Sequence, residues 1–89
     1  MTEQQIQSKI IKYLESNGCF VLKLIRTNKN GIPDLSIFKN GKAFFIEVKK
    51  KDGVLSEMQK YRIKEIETFG FKTLVFYEFN KLDLEEYLK

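Results

Sequence analysis

The sequence predicts an α/β fold in which a small mixed sheet is flanked by helices, and three observations lead to this prediction. Two segments open with the spacing of a helix capping box. An Asn-Gly pair, the strongest short signal for a β-hairpin, joins two apolar runs. Strand-like runs also lie on both sides of the second helical segment, which is typical of a sheet with helices packed against it. The predicted order of elements is α-β-β-β-α-β-α.

The predicted elements form one domain over residues 1–89, as the length of the chain suggests. Thr2 and Gln5 have the capping-box spacing for the first helix, and Ser56 and Gln59 have it for the second. In chain order we predict a helix over residues 2–17, strands over 19–26, 34–39 and 42–49, a helix over 56–69, a strand over 72–79 and a short helix over 81–88.

The composition excludes several classes of protein. The chain has no His and a single Cys, Cys19, which excludes Ser-His-Asp or Cys-His catalysis, a His-ligated zinc and an internal disulfide. Hydrophobic residues make up 43% of the chain, too many for a disordered protein. No apolar run approaches the ~20 residues of a membrane span, and the polar N-terminus does not resemble a signal peptide. We therefore expect a cytoplasmic protein with no membrane partner.

The hairpin turn at Asn40 and Gly41 determines which residues of its two strands face each other. A two-residue turn places apolar residues together on one face and sets Asp34 opposite Glu47 on the other. Directly opposed side chains have Cβ atoms about 5 Å apart, and like charges in this position are destabilising. Lys49 lies two residues beyond Glu47 and points to the same face. The register therefore predicts a cluster of two carboxylates and one ammonium group.

A divalent cation would remove the repulsion between the two carboxylates. Mg²⁺ prefers carboxylate, carbonyl and water oxygens, so the backbone carbonyl of Val48 is a further candidate ligand. Residues 18–51 contain eight basic and two acidic residues, a net charge of +6. This balance suits a polyanionic substrate handled with a metal. The alternative is that the lysines are ordinary solvated side chains and that the carboxylates are exposed at the edge of a sheet.

Several segments resemble a known family of nucleases. The dipeptide PD at 33–34 followed by EVK at 47–49 resembles the PD-(D/E)xK signature. Three longer segments look like the family motifs GxPDL, hxExK and LSxxQ: GIPDL at 31–35, FIEVK at 45–49 and LSEMQ at 55–59. Residues 2–14 look like the family's first helix. Together these segments resemble the virus-type replication-repair nuclease (VRR-NUC) domain over almost the whole chain.

The resemblance implies a restriction-endonuclease-like α-β-β-β-α-β core and a DNA endonuclease that depends on Mg²⁺ or Mn²⁺, with no small-molecule cofactor. It also implies relatives that dimerise and cut branched DNA, as Holliday-junction resolvases do. On this basis we expect a homodimer that acts on DNA, with branched DNA as the preferred substrate. The residues leave two other functions open, a non-catalytic nucleic-acid-binding module with a degenerate nuclease fold and a small structural or partner-binding domain.

The resemblance gives catalytic roles to the predicted cluster. Asp34, Glu47 and the Val48 carbonyl would bind the metal, and Lys49 would orient or deprotonate the attacking water or stabilise charge in the transition state. Each of the three side chains has an alternative role. Asp34 could be a turn residue, Glu47 could be solvent-exposed, and Lys49 could contact a phosphate without taking part in the chemistry.

Two residues outside the hairpin complete the predicted catalytic set. Glu3 lies on the sheet side of the first helix and would be a further metal ligand. Some relatives instead carry the carboxylate at the position of Gln5, and Glu3 could serve only to stabilise the helix N-terminus. Gln59 would contact the scissile phosphate or hold Lys49, although it is also the second member of a capping box.

Further residues are expected to contact DNA or to fill the core. Gly31 would let its loop approach the DNA backbone, or it is an ordinary turn glycine. Phosphate contacts are predicted for Lys23, Arg26, Lys29, Lys50 and Lys51. We expect core or dimer-interface positions, in preference to base stacking, for Tyr61, Phe69, Phe71, Phe76, Tyr77 and Phe79.

Overall fold

The computed structural model describes residues 1–88 and confirms the predicted fold class and order of elements. Three helices and four strands follow the chain in the order α1 (Glu3–Ser16), β1 (Phe20–Lys23), β2 (Leu35–Lys39), β3 (Lys42–Val48), α2 (Glu57–Thr68), β4 (Thr73–Phe76) and α3 (Lys81–Glu86). No helix within residues 1–88 has the length and apolar character needed to cross a membrane.

The capping boxes predicted for the first two helices are both formed. The hydroxyl oxygen of Thr2 accepts a hydrogen bond from the Gln5 backbone, and the Gln5 side chain accepts one from the Thr2 backbone. Ser56 and Gln59 make the same reciprocal pair at the start of α2. Each box satisfies two backbone N–H groups that the helix leaves unpaired, which is why these helices begin where the sequence predicts.

Two strands are shorter than predicted. β1 ends at Lys23 because its partner, Leu35, is the first residue of β2; the Leu24 N–H still donates to the Asp34 carbonyl and joins the ends of the following loop. β4 ends at Phe76 because its partner, β3, ends at Val48, the residue with which Phe76 pairs. A strand continues only while a neighbour offers it backbone partners, so the apolar residues beyond these points stay outside the sheet.

The four strands form one mixed sheet in the order β1-β2-β3-β4. The first two pairings are antiparallel, and β3 pairs with β4 in parallel through the α2 crossover. The hairpin register is confirmed, because Leu35 pairs with Ile46 and Ile37 pairs with Phe44. Positive φ angles at Asn40 and Gly41 allow the two-residue turn that sets this register.

The two faces of the sheet are covered differently. The α1 face holds the hydrophobic core, which α1 and α3 complete, and its buried members include Ile6, Ile10, Leu14, Leu35, Ile37, Ile46 and Leu84. On the opposite face, which we call the α2 face, the buried side chains include Ser36 and Glu47. None of the twelve residues of α2 itself is fully buried. The apolar core therefore lies on one side of the sheet only.

The prediction of a core or dimer-interface position for the late aromatic residues is confirmed in part. Phe76 is buried in the core and Phe79 packs against it. Four others are exposed, namely Tyr61, Phe69, Phe71 and Tyr77, which excludes the core for them and leaves a dimer interface as the prediction.

Candidate active site

Asp34 and Glu47 lie beside each other at the open end of the β2–β3 hairpin. Asp34 comes one residue before the last strand pair, Leu35 with Ile46, and its Oδ2 accepts a hydrogen bond from the Val48 backbone N–H at 2.8 Å. Glu47 is only 3% exposed, so the alternative of a solvent-exposed carboxylate is wrong. Burial of an acidic side chain inside a sheet is costly unless other groups compensate for it.

The surroundings of Glu47 make its ionised form unfavourable. Burial is the main cause and repulsion by the Asp34 carboxylate is the second, whereas the positive charge of Lys49 acts in the opposite direction. The net effect of these groups is to raise the pKa of Glu47 to about 7. Its Oε1 is buried and receives no hydrogen bond from an N–H or hydroxyl donor among residues 1–88. A buried carboxylate oxygen without a donor, next to a second carboxylate, is suited to binding a cation.

Gln59 serves the helix cap and the carboxylate cluster with one side-chain geometry. Its Oε1 accepts from the Ser56 backbone N–H at 2.9 Å, while its Nε2 donates to Glu47 Oε2 at 3.2 Å. The amide therefore contacts Glu47, where the resemblance implied Lys49 or the phosphate. Because the capping box fixes the orientation of the amide, the first turn of α2 holds the Glu47 carboxylate in place.

Lys49 and Glu3 approach the cluster from two further directions. Lys49 Nζ lies 3.7 Å from Glu47 Oε2, and its side chain is 15% exposed. Glu3 is half-buried, and its Oε2 accepts from the Lys50 backbone N–H at 3.2 Å, just beyond the end of β3. Gln5 is exposed and occupied with the cap of α1. Of the two candidate helix positions, the fold therefore brings Glu3 to the site.

The donor set fits a magnesium or manganese ion held by few protein groups. No group of three His, Cys, Asp or Glu side chains within residues 1–88 is arranged to hold a metal unaided. Mg²⁺ does not need one, because it usually keeps several waters and binds one or two carboxylates plus substrate phosphate. Asp34, Glu47 and the Val48 carbonyl supply oxygen atoms of this kind, and Glu3 lies close enough to influence the charge of Glu47.

The predicted DNA contacts lie outside this cluster. Five of them are exposed, as a phosphate contact requires: Lys23, Arg26, Lys29, Lys50 and Lys51. Gly31 has a φ of 77° and is packed against α2, where an added Cβ would lie 2.8 Å from the Met58 carbonyl oxygen. A glycine is therefore needed at position 31 so that the loop can pack against the helix. Whether it also approaches DNA stays a prediction.

Two residues near the site were missed by sequence reasoning. Gln7, one helical turn after Glu3, is buried and its Oε1 has no hydrogen-bond partner among residues 1–88. The helical period, which places Gln7 on the same face as Glu3, could have indicated it. Arg62 Nε donates to the Asn30 carbonyl at 2.8 Å, a contact that joins two distant segments and that no sequence pattern reveals.

Comparisons with known proteins agree with this arrangement. A solved structure described as a VRR_NUC domain superposes with a TM-score of 0.84, at 26% identity, over 98% of this chain and 99% of that chain. The domain is thus a nuclease-type fold with a carboxylate cluster at the end of its central hairpin. The family profile of the VRR-NUC domain matches residues 1–78. The chain belongs to the VRR-NUC family. A comparison with curated proteins found no significant match.

VRR-NUC is a family of nuclease domains, which supports a nuclease function with DNA as the substrate. The three longer motifs and the PD-(D/E)xK signature all fall within the matched residues. The family assignment made from the motifs is therefore confirmed.

Proposed function

We propose that this domain is an endonuclease that hydrolyses DNA phosphodiester bonds with the help of Mg²⁺ or Mn²⁺. The observation that carries the proposal is the buried carboxylate of Glu47, which lies beside Asp34 and keeps one oxygen without a donor. A purely structural residue at this position would be apolar, because a buried carboxylate with a raised pKa costs stability. Perturbed carboxylates of this kind are typical of functional sites.

The roles of the side chains follow from their contacts. Asp34, Glu47 and the Val48 carbonyl would hold the cation, and Glu3 would assist them. When bound, the cation polarises a phosphoryl oxygen and lowers the pKa of an attacking water. Lys49, whose Nζ lies 3.7 Å from Glu47 Oε2, is placed to orient that water or to stabilise charge that develops on the phosphate. Gln59 fixes the Glu47 carboxylate in a single orientation.

Cleavage of labelled DNA tests this function. Duplex, flap and four-way-junction DNA are incubated with the wild type and with Asp34→Asn, in Mg²⁺, in Mn²⁺ and in chelator. We expect metal-dependent cutting that Asp34→Asn lowers by at least about a thousandfold, because one ligand charge is lost while the side-chain shape stays the same. DNA binding should survive the substitution.

Asp52→Asn is the matched control, since it makes the same chemical change on an exposed loop carboxylate and should cut like the wild type. Undiminished cutting by Asp34→Asn would refute the site. DNA binding without cutting by the wild type under any metal condition would favour the non-catalytic binding module.

We further propose that the domain acts as a homodimer on branched DNA. The support for a dimer is an exposed cluster on the α2 face, here called the aromatic patch and formed by Phe20, Leu22, Phe38 and Phe71. Phe20 and Phe38 pair across neighbouring strands with ring centroids 6.1 Å apart. Lys39 and Lys42 border the patch, but strand alternation directs both side chains to the opposite face, where Lys39 Nζ donates to the Asn17 carbonyl at 2.7 Å.

The area of the aromatic patch is compatible with a self-association surface. From the usual 150–250 Å² of an aromatic side chain, it exposes roughly 350 Å² of apolar surface. This would form the apolar centre of an interface of ordinary size, about 800 Å² per partner. Phe38 lies four residue pairs along the hairpin from Glu47, so the interface would leave both active sites open. Paired sites are what symmetric cuts in a four-way junction require.

A further inference from the structure

The loop between β1 and β2, residues 24–34, carries two predicted phosphate contacts, Arg26 and Lys29, and ends at the metal-ligand candidate Asp34. Its ends are joined, because the Leu24 N–H donates to the Asp34 carbonyl at 2.8 Å. Residues 25–30 between them are all exposed. Within the loop, Thr27 Oγ1 donates to the Lys29 carbonyl at 2.6 Å, which shapes the tip but does not attach it to the rest of the domain. Attachment of the tip requires contacts outside the loop.

Helix α2 supplies these contacts at two points. Arg62 Nε donates to the Asn30 carbonyl at 2.8 Å. The adjacent Gly31 sits so close to the first turn of α2 that an added Cβ would lie 2.8 Å from the Met58 carbonyl oxygen. A hydrogen bond from a charged donor is stronger than a neutral one, so the Arg62 contact is the stronger candidate for an anchor.

Arg62 is poorly placed to contact DNA itself. Its side chain is 15% exposed, and its Nη1 is paired with Glu65 Oε1 at 2.9 Å. The guanidinium group also lies over the ring of Tyr61, 5.3 Å from the ring centroid. A phosphate-binding arginine keeps its donor fork free, whereas this one is occupied by the protein on several sides.

The same helix positions the catalytic carboxylate. Gln59, which donates to Glu47, lies three residues before Arg62. On a helix this separation places two side chains on neighbouring turns of the same face. The loop with the phosphate contacts and the buried carboxylate are thus both held by one short stretch of α2.

We propose that Arg62 is a positioning residue that anchors the 24–34 loop to α2, so that the basic side chains of the loop meet DNA phosphates in register with the carboxylate cluster. The ordering of the loop by Arg62 is independent of catalysis. Its kinetic consequence rests on the proposed nuclease function.

Hydrogen exchange of the free protein, without DNA or metal, tests the anchor directly. In Arg62→Ala and in Arg62→Lys we expect the hydrogen-bonded loop amides of Ile25 and Lys29 to exchange about tenfold faster, or more, because the charge-assisted hydrogen bond that anchors the loop to α2 is lost. Lysine keeps the charge but not the planar fork, so it should not rescue the loop. Gly31→Ala breaks the second contact and should produce the same local effect.

Glu65→Gln is the matched control, since it removes the ion pair of Arg62 and leaves the bond to Asn30 available; its loop should exchange like the wild type. Unchanged exchange in both Arg62 variants would overturn the proposal. Faster exchange throughout the sheet would also overturn it, because Arg62 would then be a general stability residue.

Cleavage kinetics provide the second readout. Arg62→Ala should raise the KM for DNA about tenfold and leave kcat within about twofold, since the loop binds phosphate but does not enter the chemistry. A loss of kcat at unchanged KM would contradict the proposal. Full KM rescue by Arg62→Lys with no change in exchange would show a direct phosphate contact instead. If the wild type does not cut at all, the proposed function fails, and the exchange result still decides the anchor.

Discussion

The two faces of the sheet differ in what they bury, apolar side chains on one and an acidic side chain on the other. On the α1 face, Leu35, Ile37 and Ile46 meet the apolar side of α1, and these strand residues have no solvent exposure. On the α2 face, the central buried residue is the acidic Glu47, and α2 contributes no fully buried side chain. The apolar face stabilises the domain, while the α2 face accepts an electrostatic cost at the site of its proposed chemistry.

The difference also appears in how the two helices are held, since no residue of α2 is fully buried and two polar contacts join it to the site and to the loop. Helix α1 is held by a continuous apolar stripe, which needs no single interaction to fix it. Helix α2 instead contacts the site through Gln59 and the loop through Arg62. Removal of one polar contact on this face should change function more than stability, and removal of apolar volume on the other face should do the reverse.

The largest expected effect comes from Glu47→Gln. Cutting should fall by at least about a thousandfold, because a ligand charge is lost. Without metal at pH 8, the same variant should have a free energy of unfolding about 2 kcal/mol higher than the wild type. The amide keeps the shape and can accept from Gln59, but it removes the cost of a buried charge. Urea unfolding in chelator measures the change in stability.

The pH dependence of the free energy of unfolding shows why Glu47→Gln should be more stable than the wild type at pH 8. Burial and Asp34 raise the pKa of Glu47 to about 7, so between about pH 4.3, the usual pKa of Glu, and pH 7 the folded protein binds a proton that the unfolded chain has lost. The wild-type free energy of unfolding should fall as pH rises through this window. Near pH 4 the wild type and Glu47→Gln should have similar free energies of unfolding. Glu78→Gln, on an exposed loop, is the control, and equal stability of Glu47→Gln and wild type at pH 8 would contradict the raised pKa.

A smaller effect is expected from Ile37→Val on the α1 face, which should lower stability without changing catalysis. Loss of one buried methylene should lower the free energy of unfolding by about 1 kcal/mol. The kcat of the folded enzyme should not change, since Ile37 points away from the carboxylate cluster. Urea unfolding and cleavage assays on the same samples measure both quantities. Leu82→Ala, at a position that is 73% exposed, should alter neither stability nor kcat. A loss of kcat in Ile37→Val would contradict the proposal that the α1 face affects stability and not catalysis.

The smallest effect on the fold is expected from Phe20→Thr in the aromatic patch. Phe20 is 62% exposed and threonine favours strands, so the monomer should lose less than about 1 kcal/mol of stability. The proposed dimer should dissociate at concentrations where the wild type stays associated, as light scattering would show against the 10.6 kDa of one chain. Leu82→Thr, outside the patch, should leave association unchanged. A wild type that is monomeric at all working concentrations would refute the dimer.

Most of the fold could be predicted because its signals are local. The capping boxes at Thr2 and Ser56 and the turn at Asn40 each depend on residues within four positions, so the sequence shows them directly. The length of a strand depends on its neighbour. For that reason the prediction extended β1 and β4 beyond the residues with which their partners pair.

Sequence alone determined the juxtaposition of Asp34, Glu47 and Lys49, since a two-residue turn fixes the strand register and the period of a strand fixes the face. Only the tertiary structure decided that Glu47 is buried, that the Gln59 amide turns to it and that Arg62 reaches the loop at Asn30. Burial and contacts between distant segments arise when helices pack on a sheet. They depend on the relative placement of whole elements, which local residue patterns do not encode.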